Sequence, residues 1–226
     1  MTLIEQVEQA FGPPEEDRVL NFMVDQELAD CGDDTARWLS LFEKCVGWRE
    51  TYFLWEESTY IDGISGWNLQ LDVCKVRLPE NGEDWIVYLC HMALMLVVSN
   101  MSIDERTSLA EAGREIENFP CGDWPTVVEY PDGSYAELTP EQWMEELTGF
   151  LNTSWEGYRK FSRNAPAYQR EMEQNYPKFD AILGRLTQET GDCEVVRMNR
   201  HGGDESTWYF ARAENHFYVV RVTDSM

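Results

Sequence analysis

A chain of 226 residues with 43% hydrophobic and 13% aromatic content has the material for a sizeable core, so its acidity does not make it a disordered tail. Eighteen basic residues face forty-two acidic ones, a net charge of −24, which argues against direct contact with nucleic acid or other polyanions because phosphate contacts need Lys and Arg. The six cysteines (Cys31, Cys45, Cys74, Cys90, Cys121, Cys193) contain no CxxC pair, and the first residues have neither the basic nor the apolar region of a signal peptide. Reduced thiols and a cytoplasmic location are therefore expected.

In chain order, Leu3, Ile4, Val7, Ala10 and Phe11 recur at helical spacing, and Pro13-Pro14 separates them from a second acidic helix over Glu15–Asp34. A third helix from Thr35 to about Phe53, capped by Asp33 or Asp34, carries Trp38, Leu41, Phe42, Cys45 and Tyr52 on one stripe. The segment from Glu50 to Glu56 can equally begin a strand. Alternation sets in between Trp67 and Leu78, where Trp67, Leu69, Leu71 and Val73 interleave with polar residues. Asn81-Gly82 then has turn chemistry, which predicts a hairpin whose second strand is the apolar run Trp85–Val98, the later part of which can equally be helical. That run is fourteen residues and contains His91, too short to span a bilayer, so no membrane is expected as a partner.

Ser102-Ile-Asp-Glu105 fits a capping box for a helix to about Phe119, and Pro120–Pro125 is a loop. Val127–Tyr130 and Ser134–Leu138 flank Pro131-Asp132-Gly133, a second hairpin signal. Thr139-Pro140-Glu141-Gln142 starts a long helix with Trp143, Leu147, Phe150, Leu151, Trp155 and Tyr158 on its apolar stripe. A further helix over Ala167–Glu189 should be broken or kinked at Pro177, which has no N–H to give. Three strands close the pattern, Cys193–Asn199, Ser206–Ala213 and His216–Val222, with turns at Gly202-Gly203 and Glu214-Asn215. Aromatic residues fall on both faces of this meander. The expectation is an α+β fold, largely antiparallel sheet packed against helices and ending in a three-stranded meander, as one domain over 1–226 with a subdomain boundary near 120–125.

No chemistry-bearing motif stands out. GxGxxG, GxxxxGK[ST] and GxSxG are absent, so no cofactor and no catalytic residue is assigned. With three histidines, the one ligand-like cluster, His201-Gly-Gly-Asp204-Glu205, reads as a polar hairpin tip, and no metal is assigned. Cys121 is the least core-like thiol but lies among acids, the wrong setting for a reactive cysteine.

Charge is the remaining signal, since residues 1–125 hold −17 of the −24. It points to a non-enzymatic acidic protein that inhibits or neutralises a basic protein partner, as immunity proteins and inhibitors of nucleic-acid-acting proteins do, in one variant as a nucleic-acid mimic. The candidate contact residues are Glu15, Glu16, Asp17, Asp30, Asp33, Asp34, Trp55, Glu56 and Glu57, acids with an aromatic anchor among them. The alternatives are a chaperone-like escort of a secreted protein, which needs an exposed apolar groove, and an enzyme of unfamiliar type, which needs a pocket of convergent polar groups.

Overall fold

The computed structural model describes residues 1–11, 51–62, 68–78, 134–161, 166–199 and 205–225. Several sequence expectations lie outside them: the helix over Glu15–Asp34, most of the helix from Thr35, the run Trp85–Val98, the capping box at Ser102, the loop Pro120–Pro125, the strand Val127–Tyr130 and the turn at Gly202-Gly203. The chain forms two compact units, one of Met1–Phe53 with Leu78–Gly133, the other of Leu54–Arg77 with Ser134–Met226.

In the first unit, helix α1 spans Leu3–Phe11. Thr2 and Glu5 satisfy one another's free amides: the Thr2 N–H donates to Glu5 Oε2 at 2.8 Å and the Glu5 N–H to Thr2 Oγ1 at 3.3 Å. Leu3 and Val7, one turn apart, are buried, as the apolar spacing requires.

The second unit is built on one antiparallel sheet. Its strands are β1 (Phe53–Asp62), β2 (Asn68–Arg77), β3 (Ser134–Leu138), β4 (Glu194–Asn199), β5 (Glu205–Arg212) and β6 (His216–Ser225). Between β3 and β4 run helices α2 (Pro140–Phe161) and α3 (Pro166–Glu189). The strand order is β1-β2-β6-β5-β4-β3, so the last strand lies inside the sheet between β2 and β5. The meander β4-β5-β6 forms as its sequence predicts, and Ala213 N–H donates to His216 O at 2.9 Å to close the two-residue turn Glu214-Asn215.

Two expectations are corrected. β2 is not the partner of the run beginning at Trp85, because both its edges are taken, by β1 and by β6; Leu71, Val73 and Lys75 stand opposite Val222, Val220 and Tyr218. A short turn signal at Asn81-Gly82 is outweighed by ten residues of ladder with a distant strand. Pro177 does not break its helix: α3 runs through it for 24 residues. The proline is exposed, while Phe179, Ile182, Leu183 and Leu186 beyond it are buried, and that burial outweighs the lost N–H.

Register explains the core. Toward the helices the sheet presents Leu69, Leu71 and Val73 of β2, Tyr218, Val220 and Val222 of β6, Tyr209 and Ala211 of β5 and Val195 of β4, which join Trp143, Leu147 and Leu151 of α2 and the four α3 residues in one buried cluster. Side chains on the opposite face, among them Cys74, Val76, Val196, Phe210, Phe217 and Val219, are buried as well. Strands buried on both faces lose strict alternation, which is why β6 reads HFYVVRV.

Helix α2 starts as its sequence specifies. The Thr139 N–H donates to Gln142 Oε1 at 2.9 Å and the Gln142 N–H to Thr139 Oγ1 at 3.2 Å, leaving Trp143 N–H to begin the helical ladder on Thr139 O. Thr139→Ala is expected to cost about 1 kcal/mol in urea unfolding, and Thr139→Gly less, since glycine is tolerated at this position. Equal losses would remove the hydroxyl from the account.

Candidate functional site

The densest polar constellation among the described residues gathers at the C-terminal turn of α3, over β1, β2 and β6. Glu189 is its centre. One carboxylate oxygen accepts from Lys75 Nζ at 2.7 Å and from the Tyr218 hydroxyl at 3.1 Å, the other from Arg185 Nε at 3.1 Å. Helical geometry brings Arg185 and Glu189 together one turn apart, and the register puts Lys75 directly opposite Tyr218. Arg185 also reaches Glu57 Oε1 at 3.4 Å and lies 4.0 Å above the Trp55 ring.

The protonation states are set by this packing. Burial alone raises the Glu189 carboxyl, but hydrogen bonds from Lys75 and Arg185 outweigh it and hold the group at about 2. Burial lowers Lys75, and bonding to Glu189 and Tyr218 more than reverses that, so the ammonium persists. Tyr218 is raised by burial, while His216 is lowered by burial and by the positive charge of Lys75. The cluster therefore holds a cationic lysine, a neutral phenol and an ionised carboxylate engaged with one another, an arrangement suited to clamping elements together rather than to nucleophilic attack.

A shallow groove of about 550 Å³ lies elsewhere in the unit, between the start of α2, the α3–β4 turn and the β5–β6 turn. Glu141, Asp192, Glu194 and Glu214 line it with Arg212, whose Nε is 2.7 Å from Glu194. Cys193 at its base donates to Thr190 O at 3.3 Å. Burial, with the nearby negative charges of Asp192 and Glu141, pushes the thiol up to about 11, far from a reactive thiolate. Cys193 is a free thiol, and among the described residues no three His, Cys, Asp or Glu groups are placed to hold a metal ion. No helix among the described residues is long and apolar enough to cross a membrane.

Of the nine contact residues expected from sequence, the structure brings Trp55 and Glu57 together beneath Arg185, with Glu56 exposed beside them. Trp55 is partly buried and packs against the core. Glu15, Glu16, Asp17, Asp30, Asp33 and Asp34 lie outside the described residues, as do Cys121, His91 and His201. Sequence reasoning misses Lys75, Arg185 and Glu189; a lysine inside an apolar strand is the one available signal. Compared with protein-family models, with curated proteins and with solved structures, the chain matches none.

Proposed function

We propose that this is a non-enzymatic acidic protein that binds and neutralises a basic protein partner, and that residues 1–53 and 78–133 supply the contact. The observation that carries this reading is the division of charge between the two units. Residues 1–53 and 78–133 contain twenty-three acids and six bases, a net −17; residues 54–77 and 134–226 contain nineteen and twelve, a net −7. In the sheet unit five acids are met by the chain's own cations: Asp72 by Arg221, Glu146 by Arg197, Glu194 by Arg212, Glu189 by Lys75 and Glu57 by Arg185. The excess negative charge of the other unit has too few bases to meet it internally. Such a field speeds encounter with a cationic protein and selects against anionic ones.

The test is affinity capture from the native host followed by kinetics on the purified pair. A basic partner is expected, with association that slows steeply as salt rises toward physiological strength. Combining Glu15→Gln, Glu16→Gln and Asp17→Asn should slow association about three- to tenfold at low salt and leave dissociation nearly unchanged. A neutral or acidic partner bound independently of salt removes the proposal.

A further inference from the structure

We propose that Glu189 is an acid-sensitive clasp on strand β1: it orients Arg185 against Trp55 and Glu57, and its neutralisation lets β1 open locally while the β6 core of the sheet stays formed. β1 ends the strand order and among the described residues takes a sheet neighbour, β2, on one side. Trp55 and Glu57, two residues apart, share one face of it. Arg185 meets both, at 4.0 Å from the ring and 3.4 Å from the carboxylate. Arg185 is itself long and partly exposed, so holding it in that place costs side-chain entropy unless a second anchor fixes it. Glu189 is that anchor, at 3.1 Å from Arg185 Nε, and it is pinned in turn by Lys75 and Tyr218 from β2 and β6.

The charges facing Glu189 make the clasp one-directional. Lys75 of β2, Tyr218 of β6 and Arg185 of α3 bond to it directly, His216 of β6 feels its charge and that of Arg77 of β2, and Glu57 of β1 is reached through Arg185. With Glu189 ionised, its charge offsets the surrounding cations. Once it is protonated, Lys75 and Arg185 lose that counter-charge, and His216 adds a further positive charge in acid. Glu189 is depressed from 4.5 to about 2, so its contribution to stability is complete above 4.5 and disappears as pH falls from there through 2. His216, lowered from 6.5, acts in the same direction, because its neutral form is the one the fold prefers. A strand paired on one side only gives way before one inside the sheet, and β1 is the terminal strand that this cluster holds.

Amide hydrogen exchange on the intact chain decides it, comparing residues 54–61 of β1 with residues 218–222 of β6. At pH 7, Glu189→Gln should speed exchange in 54–61 by about tenfold while 218–222 changes less than about twofold. In the unaltered chain, after correction for the intrinsic rate, β1 should lose protection before β6 as pH falls from 5 toward 2. Loss shared equally by the two segments, or unchanged protection of β1, overturns the proposal. If Glu189→Gln does not fold, the acid series on the unaltered chain is sufficient to separate these outcomes.

Discussion

Asp72→Ala should cost the fold about 3–5 kcal/mol, the penalty of leaving a buried charge without its partner. Asp72 and Arg221 stand directly opposite one another on β2 and β6, with side chains only 9% and 14% exposed. Arg221 Nε and Nη2 both donate to Asp72 Oδ2, at 2.8 and 2.5 Å, and Gln70 Nε2 donates to Oδ1 at 3.0 Å. The guanidinium lies 5.6 Å from the Trp208 ring centre, and the next row of the same face is Cys74, Val219 and Phe210, all buried. Once the carboxylate is gone, little water reaches the guanidinium to replace it. In a chain of this size the loss should lower Tm by about 10 °C. The pair itself is another matter, because desolvating two ions nearly cancels their attraction. Asp72→Leu combined with Arg221→Met should therefore recover most of the stability lost by Asp72→Ala. Urea unfolding of Asp72→Ala and of the double variant measures both quantities. A loss below about 1 kcal/mol for Asp72→Ala would show that solvent already screens the site.

Trp143 is the second position where a large effect is expected, and here the contrast between two substitutions carries the information. Its side chain is fully buried on the first turns of α2, with its ring 6.2 Å from that of Tyr209 and tilted by 37°. Trp143→Ala removes the largest buried side chain of the cluster and should cost about 3–5 kcal/mol. Yet the indole Nε1 is buried and has no hydrogen-bond acceptor among the described residues, a condition that costs about 1–3 kcal/mol in its own right. Trp143→Phe gives up part of the ring but also that unpaired donor, so its cost should be about 1–2 kcal/mol. Denaturant unfolding of the two variants separates packing from polarity. Equal losses would mean that the N–H is already satisfied and that volume alone matters.

What could be read from the chain follows from how far each signal reaches. The Thr139–Gln142 box, the Glu214-Asn215 turn and the three closing strands are each specified within a few residues, and each appears in the structure. The neighbour of β2 is not of that kind. Val73 meets Val220 because both fit one inner face, and no local turn announces a partner so remote. Pro177 does not end its helix for the complementary reason: its intrinsic penalty is local, whereas the sheet that holds Phe179 and Leu186 is not. The Glu189 cluster leaves only one trace in the sequence, a lysine inside an apolar strand, because Lys75 and Glu189 are 114 positions apart and nothing local joins them. The imbalance of acids along the chain, by contrast, needs no coordinates. Its meaning for recognition rests on arrangement, and of the nine expected contact residues only Trp55, Glu56 and Glu57 acquire a described place.

The position of β6 inside the sheet has a consequence for biosynthesis. The hairpin ladder β4-β5 and the strand β2 are joined through residues 216–225, so a nascent chain must keep the β6 edge of β2 unpaired while roughly 140 further residues are added. Leu69, Leu71 and Val73 spend that interval without their eventual covering. Joining strands so far apart along the polymer is entropically slow. A strongly repelling negative chain is a useful property during such a delay, because it keeps half-finished molecules from finding one another before the closing strand arrives.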